Sequence, residues 1–145
     1  MKRLMLIVTA VLALVAACQP ESNCRVPFGT GGSIDLSMPK WYDLRTMGNP
    51  VTINRGHKGI YVTRLGDDLF VAFECACPND NDECMLPDTE ANFGNDTATH
   101  YGEMVLRCPV CNATYNALDG QPIDNASCPL HQYTATLDGN ILTIN

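Results

Sequence analysis

The chain reads as an all-β domain. Three observations carry this. Short runs rich in β-branched and aromatic residues recur from residue 51 to the C-terminus. Gly-Asp-Asp and Asp-Gly-Asn turns separate several of them. No stretch of useful length holds a helical period. Close turns between short strands predict a sandwich or barrel rather than a helical or mixed fold.

In chain order, Ile34 to Leu36 and Trp41 to Leu44 are brief apolar patches in a Gly/Ser/Pro-rich stretch, read as an entry strand and a turn. Val51 to Ile53 is short and β-branched. Gly59 to Leu65 and Leu69 to Glu74 flank Gly66-Asp67-Asp68, a hairpin signal. Glu103 to Arg107 forms the next strand. Thr114 to Asn116 and the Asp119-Gly120 turn follow. Gln132 to Leu137 and Ile141 to Ile144 flank Asp138-Gly139-Asn140, a second hairpin. Between them, residues 79 to 103 carry seven acidic residues and no Lys or Arg. This insert reads as a solvated excursion. Its Asp80 to Glu83 run lacks the Gly and Glu spacing of a calcium loop.

The first residues are not part of the fold. Lys2 and Arg3 precede an apolar run from Leu4 to Ala17, the length of a signal h-region and short for a membrane span. It ends in Val15-Ala16-Ala17-Cys18, which resembles a bacterial lipobox. The resemblance implies a signal peptide over 1–17, a lipidated tether over 18–28 and a folded domain over 29–145. Cys18 would carry the lipid, and multiple acyl chains hold a protein firmly on a membrane. Gln19 after the Cys favours the outer membrane of the bacterial envelope over retention at the inner one. Loss of Lys2 and Arg3 moves the net charge from −7 to −9. So acidic a chain is a poor partner for nucleic acid. No Ser-His-Asp set, phosphate-cradling loop or apolar carboxylate pair points to an enzyme.

The chemistry lies in the cysteines. Cys75-Ala76-Cys77-Pro78 and Cys108-Pro109-Val110-Cys111 are two Cys-Pro turns at strand ends, with Cys84 between them. In Cys108–Cys111, thiols three positions apart on a tight turn share one face. The next residue of such a knuckle needs positive φ, which Asn112 tolerates better than any residue but Gly. In the first turn, Cys75 and Cys77 share a face if the chain stays extended, about 7 Å apart. Alternatively Cys77 works with Cys84. An oxidising compartment also admits disulfides.

From about residue 50 to the C-terminus, FVAFECACP, an insert, EMVLRCPVCNATYNALDGQPI and SCPLHQYTATLDGNILTI together resemble a Rieske domain. The resemblance extends to Rieske-like lipoproteins of Bacteroidetes. It implies a β-sandwich or barrel with a small rubredoxin-like tip, where both Cys turns sit on adjacent loops and hold a [2Fe–2S] cluster for electron transfer. Cys77, Cys108 and Cys111 would be ligands, with Cys75 as the fourth and Cys84 as its alternate. Cys84 and Cys128 are the disulfide candidates. The ligands depart from the family pattern: Cys111 stands where the second His belongs, and Cys77 or Asn79 where the first does. All-thiolate ligation would draw the potential toward about −400 mV. Zn2+ in a closed thiolate site, or disulfides with no metal, are the alternatives. His131 has Cys-x-x-His spacing from Cys128 but sits too near the C-terminus, and His57 and His100 lie outside both turns.

Overall fold

The computed structural model describes residues 24, 26–79, 86–87 and 105–145. The expectations for the signal peptide, Cys18, Cys84, His100 and most of the acidic insert lie outside these residues.

Among the described residues there are eleven strands and one short 3-10 helix, Pro39–Arg45. The strands are β1 (Gly32–Asp35), β2 (Val51–Ile53), β3 (Ile60–Arg64), β4 (Phe70–Glu74), β5 (Leu86–Pro87) and β6 (Val105–Arg107). They continue with β7 (Thr114–Asn116), β8 (Pro122–Asp124), β9 (Gln132–Tyr133), β10 (Ala135–Asp138) and β11 (Ile141–Ile144). Three antiparallel sheets result, in the orders β1-β11-β10, β2-β3-β4-β9 and β5-β6-β7-β8. The all-β expectation holds. The patch at Trp41 to Leu44 forms the helix, opened by Pro39 and anchored by Leu44, which is fully buried.

The central sheet explains the runs of consecutive apolar residues. Every residue of β4 is buried. Strand alternation sends Phe70 and Ala72 into one core with Ile34, Leu44, Leu142 and Ile144. It sends Val71 and Phe73 into a second core with Leu106, Tyr115 and the thiols of Cys77 and Cys108. Strand β3 divides the same way, with Ile60 and Val62 in the first core and Tyr61 in the second. Each fully buried Phe, Ile or Leu contributes roughly 1.5–3 kcal/mol. One strand pair therefore joins a sheet that closes the domain to a sheet that carries the cysteine turns.

The sequence region 132–137 is split. Strand β9 pairs with β4, through Ala72↔Tyr133 and Phe73↔Gln132, while β10 pairs with β11. Thr134 is the hinge: it exchanges two backbone hydrogen bonds with Asn145, at 2.8 and 2.9 Å. The chain thus crosses from one sheet to another in a single residue.

Candidate metal centre

Strands β3 and β4 pair from Arg64↔Phe70 to Ile60↔Glu74, so β4 runs from the Leu65–Leu69 turn toward the cysteines. It ends at Glu74, a carboxylate at the close of an apolar run and fully buried. Glu74 accepts from the backbone N–H of His57 and Lys58, both at 2.8 Å, and of Ala76 at 3.2 Å. The Tyr133 hydroxyl donates to it at 2.6 Å. Burial pushes this carboxyl up, but the Tyr133 hydroxyl and the three N–H groups outweigh it and hold the pKa below the ordinary value. Glu74 so fixes the start of the first Cys turn against the 56–59 loop. Gly56 and Gly59, at φ 75° and 113°, bring that loop close.

The second turn is a knuckle. Cys108 N–H donates to Ala113 O at 2.9 Å, and Asn112 N–H donates to Cys108 O at 3.0 Å. Asn112 has φ 57°, the left-handed conformation the sequence called for. Strands β6 and β7 flank the knuckle and hold it through Arg107↔Thr114.

The two turns meet. The Sγ atoms of Cys77, Cys108 and Cys111 all lie within 4.8 Å of one another, with Cys77 and Cys108 buried and Cys111 half-buried. The Cys77 and Cys111 sulfurs are 3.6 Å apart. These three cysteines can bind a metal. A tetrahedral ion with bonds of about 2.3 Å to sulfur spaces its thiolates about 3.8 Å apart. The Cys77–Cys111 separation is close to that spacing.

The thiols are electrostatically unlike. Burial, with Cys108 and Cys111 as neighbours, pushes Cys77 up to about 12 against the pull of the Asn79 N–H. Burial also opposes ionisation of Cys111. There the Ala113 N–H, the thiols of Cys108 and Cys77 and the Asn79 amide prevail, and the pKa falls below the ordinary thiol value. Asn79 is itself held by its Nδ2, which donates to Asn125 O at 2.6 Å. Tyr115 lies in the same core, fully buried, and its hydroxyl has no partner in hydrogen-bonding geometry. Burial and then the charge of Cys77 raise its pKa. The Cys77 thiol is within its reach, and a buried hydroxyl without a well-formed hydrogen bond costs about 1–3 kcal/mol, which a thiolate acceptor would recover. Soft thiol donors and a stranded hydroxyl beside them fit zinc or an iron–sulfur group.

Two expectations change. Cys75 does not join the group. It is buried, its N–H donates to Gly59 O at 2.8 Å, and its sulfur lies near Gly59 rather than the knuckle. Same-face positions two apart on a strand stand about 7 Å apart, too far for one ion without a sharper turn. Cys128 pairs with Cys24, not with Cys84: the two form a disulfide with Cα atoms 5.6 Å apart. His131 is a packing residue. Its ring stacks on Phe28, centroids 4.1 Å apart, and meets Tyr133 edge-on at 4.9 Å. His57 is exposed and engages Glu74 through its backbone N–H.

Glu74 and Cys24 were not singled out from sequence. The signal for Glu74 is a lone carboxylate ending the run LFVAF. Cys24 has no local signal, because its partner lies 104 residues away. Comparison with family models, curated proteins and solved structures finds no match.

Proposed function

We propose that this chain is a lipid-anchored electron-transfer protein of the bacterial envelope, on the outer membrane, with a Rieske-like β-frame and a thiolate-ligated iron–sulfur centre at its tip. The observation that carries the reading is the convergence of Cys77, from the loop after β4, with Cys108 and Cys111, from the β6–β7 loop. Two loops of one all-β frame deliver their thiols to one end. Burial of Cys77 and Cys108 keeps water from the ligands, while Val110, 55% exposed at the apex of the knuckle, leaves the tip open to a partner. When bound, an iron–sulfur group supplies a one-electron couple. The chain supplies thiolate charge, a dry environment and the Tyr115 hydroxyl as a donor toward sulfur, each of which tunes potential.

A second reading is a non-enzymatic protein holding a single structural ion such as Zn2+. The mutual approach of all three sulfurs within 4.8 Å favours it, since a two-iron cluster with two ligands on each iron would set at least one of the three on the farther iron. Iron, acid-labile sulfide and zinc, measured on anaerobically purified soluble protein lacking residues 1 to 18, separate the two. About two irons and two sulfides per chain, with an EPR signal on reduction, support the cluster. One zinc without sulfide supports the structural ion. No metal after attempted reconstitution with either refutes both.

A further inference from the structure

The N-terminal arm is bolted to the thiol end of the domain. Cys24 is joined to Cys128. Four residues on, Phe28 stacks on His131. Gly29 N–H donates to the Tyr133 hydroxyl at 3.1 Å. Cys24 and residues 26–29 therefore lie along 128–133.

That second segment borders the thiols. Leu130 is buried in the same core as Cys77 and Cys108, and Ala126 packs against it. Asn125 O accepts from Asn79, two residues beyond Cys77. His131 O accepts the N–H of Glu74, at the thiol end of β4, at 2.9 Å. The opposite end of β4 opens from the Leu65–Leu69 turn, closed by Leu65 N–H to Leu69 O at 2.8 Å.

We propose that the arm holds the thiol tip toward the bilayer, with the Leu65–Leu69 turn facing away, so that the partner of the centre belongs to the same membrane. The inference rests on the reading of Cys18 as the lipidated residue. Cys18 and Cys24 are six residue steps apart. Six residues reach about 20 Å when fully extended. A folded body of about 120 residues has a radius of gyration near 14 Å, hence a diameter of roughly 35 Å. The tether is shorter than the body it holds. With its inner end fixed beside the thiols, the tip cannot swing to the far side of the domain from the membrane. Exposed apolar side chains lie at both ends of β4, Phe28 and Val110 at this one and Leu69 at the other, so they do not set the orientation. A chain of net charge −9 after loss of Lys2 and Arg3 gains nothing from anionic headgroups, so orientation falls to the tether.

The test uses the full lipidated chain on phosphatidylcholine vesicles doped with nitroxide-headgroup lipid. A fluorescent non-natural residue replaces Val110 in one variant and Asp68 in another, leaving all cysteines intact. The expected result is several-fold stronger quenching at position 110 than at 68. Cys24→Ser with Cys128→Ser should narrow the difference while circular dichroism stays native. Equal quenching, or stronger quenching at 68, in protein whose Cys18 lipid is verified by mass spectrometry overturns the inference and leaves the anchor standing. Absence of lipid on Cys18 overturns the anchor and the inference together.

Discussion

Removing the Cys24–Cys128 disulfide gives the largest stability effect the fold predicts outside its core. The bond closes a loop of 104 residues, most of the folded domain. In the chain-entropy account a loop of that length restricts the unfolded chain by about 4.7 kcal/mol at 25 °C. Native contacts of the arm remain in the variant. The Phe28–His131 stack contributes about 0.5–1.5 kcal/mol, and the Tyr133 hydroxyl still holds Gly29. Residual structure in the unfolded chain also trims the entropic gain, so the expected loss is about 3–4 kcal/mol. With an unfolding entropy of about 2.1 cal/mol/K per residue over about 120 residues, that lowers Tm by roughly 12–16 °C. The assay is urea and thermal unfolding followed by circular dichroism, on the metal-free soluble chain with Cys24→Ser and Cys128→Ser. Wild type under reductant should approach the variant. A loss below about 1 kcal/mol would refute the reasoning, because the arm would then be held by its other contacts or the bond would be absent.

Three further outcomes follow from the site. Glu74 has a folded pKa below its unfolded one, so its stabilisation is present above the unfolded value and is lost as pH falls through the folded value. Glu74→Gln should cost about 1–3 kcal/mol at pH 7 and flatten the acid limb of a stability–pH curve; an unchanged acid limb contradicts the role. Asn112→Gly should leave Tm and metal loading intact, whereas Asn112→Val, forced to φ 57°, should cost about 1–3 kcal/mol and reduce loading; equal behaviour of the two would show the left-handed position to be unimportant. Tyr115→Phe should raise the stability of the metal-free protein by up to about 1 kcal/mol and weaken metal retention against a chelator, since it removes an orphan donor in one state and a donor to thiolate in the other. Effects of the same sign in both states argue against that contact.

Much of this was legible in the chain. Runs of branched and aromatic residues close to Gly, Asp or Asn turns or to the Cys-Pro turns placed β2, β3, β4, β6, β7 and β11. Asn112 was readable because few residues take positive φ at low cost. Strand β8 was not, since Pro122-Ile123-Asp124 is short and largely exposed and gains its pairing only from β7. The helix at Pro39–Arg45 was invisible to a periodicity test, being too short to show a period and held by the burial of Leu44. Cys75 misled because sharing a face is not sharing a metal: Glu74 fixes the backbone just before it, and Cys75 settles against Gly59. Cys128 misled because nothing local distinguishes Cys24 from Cys84 as its partner. Only the sheet order brings the arm to the loop before β9.

The central claim is that Cys77, Cys108 and Cys111 hold a metal and Cys75 does not. Metal per chain, measured on Cys111→Ser and Cys75→Ser proteins purified side by side with wild type, tests it most directly. The geometry predicts that Cys111→Ser loses its metal while Cys75→Ser retains the wild-type content. Full loading of Cys111→Ser, or equal loss in Cys75→Ser, would contradict it.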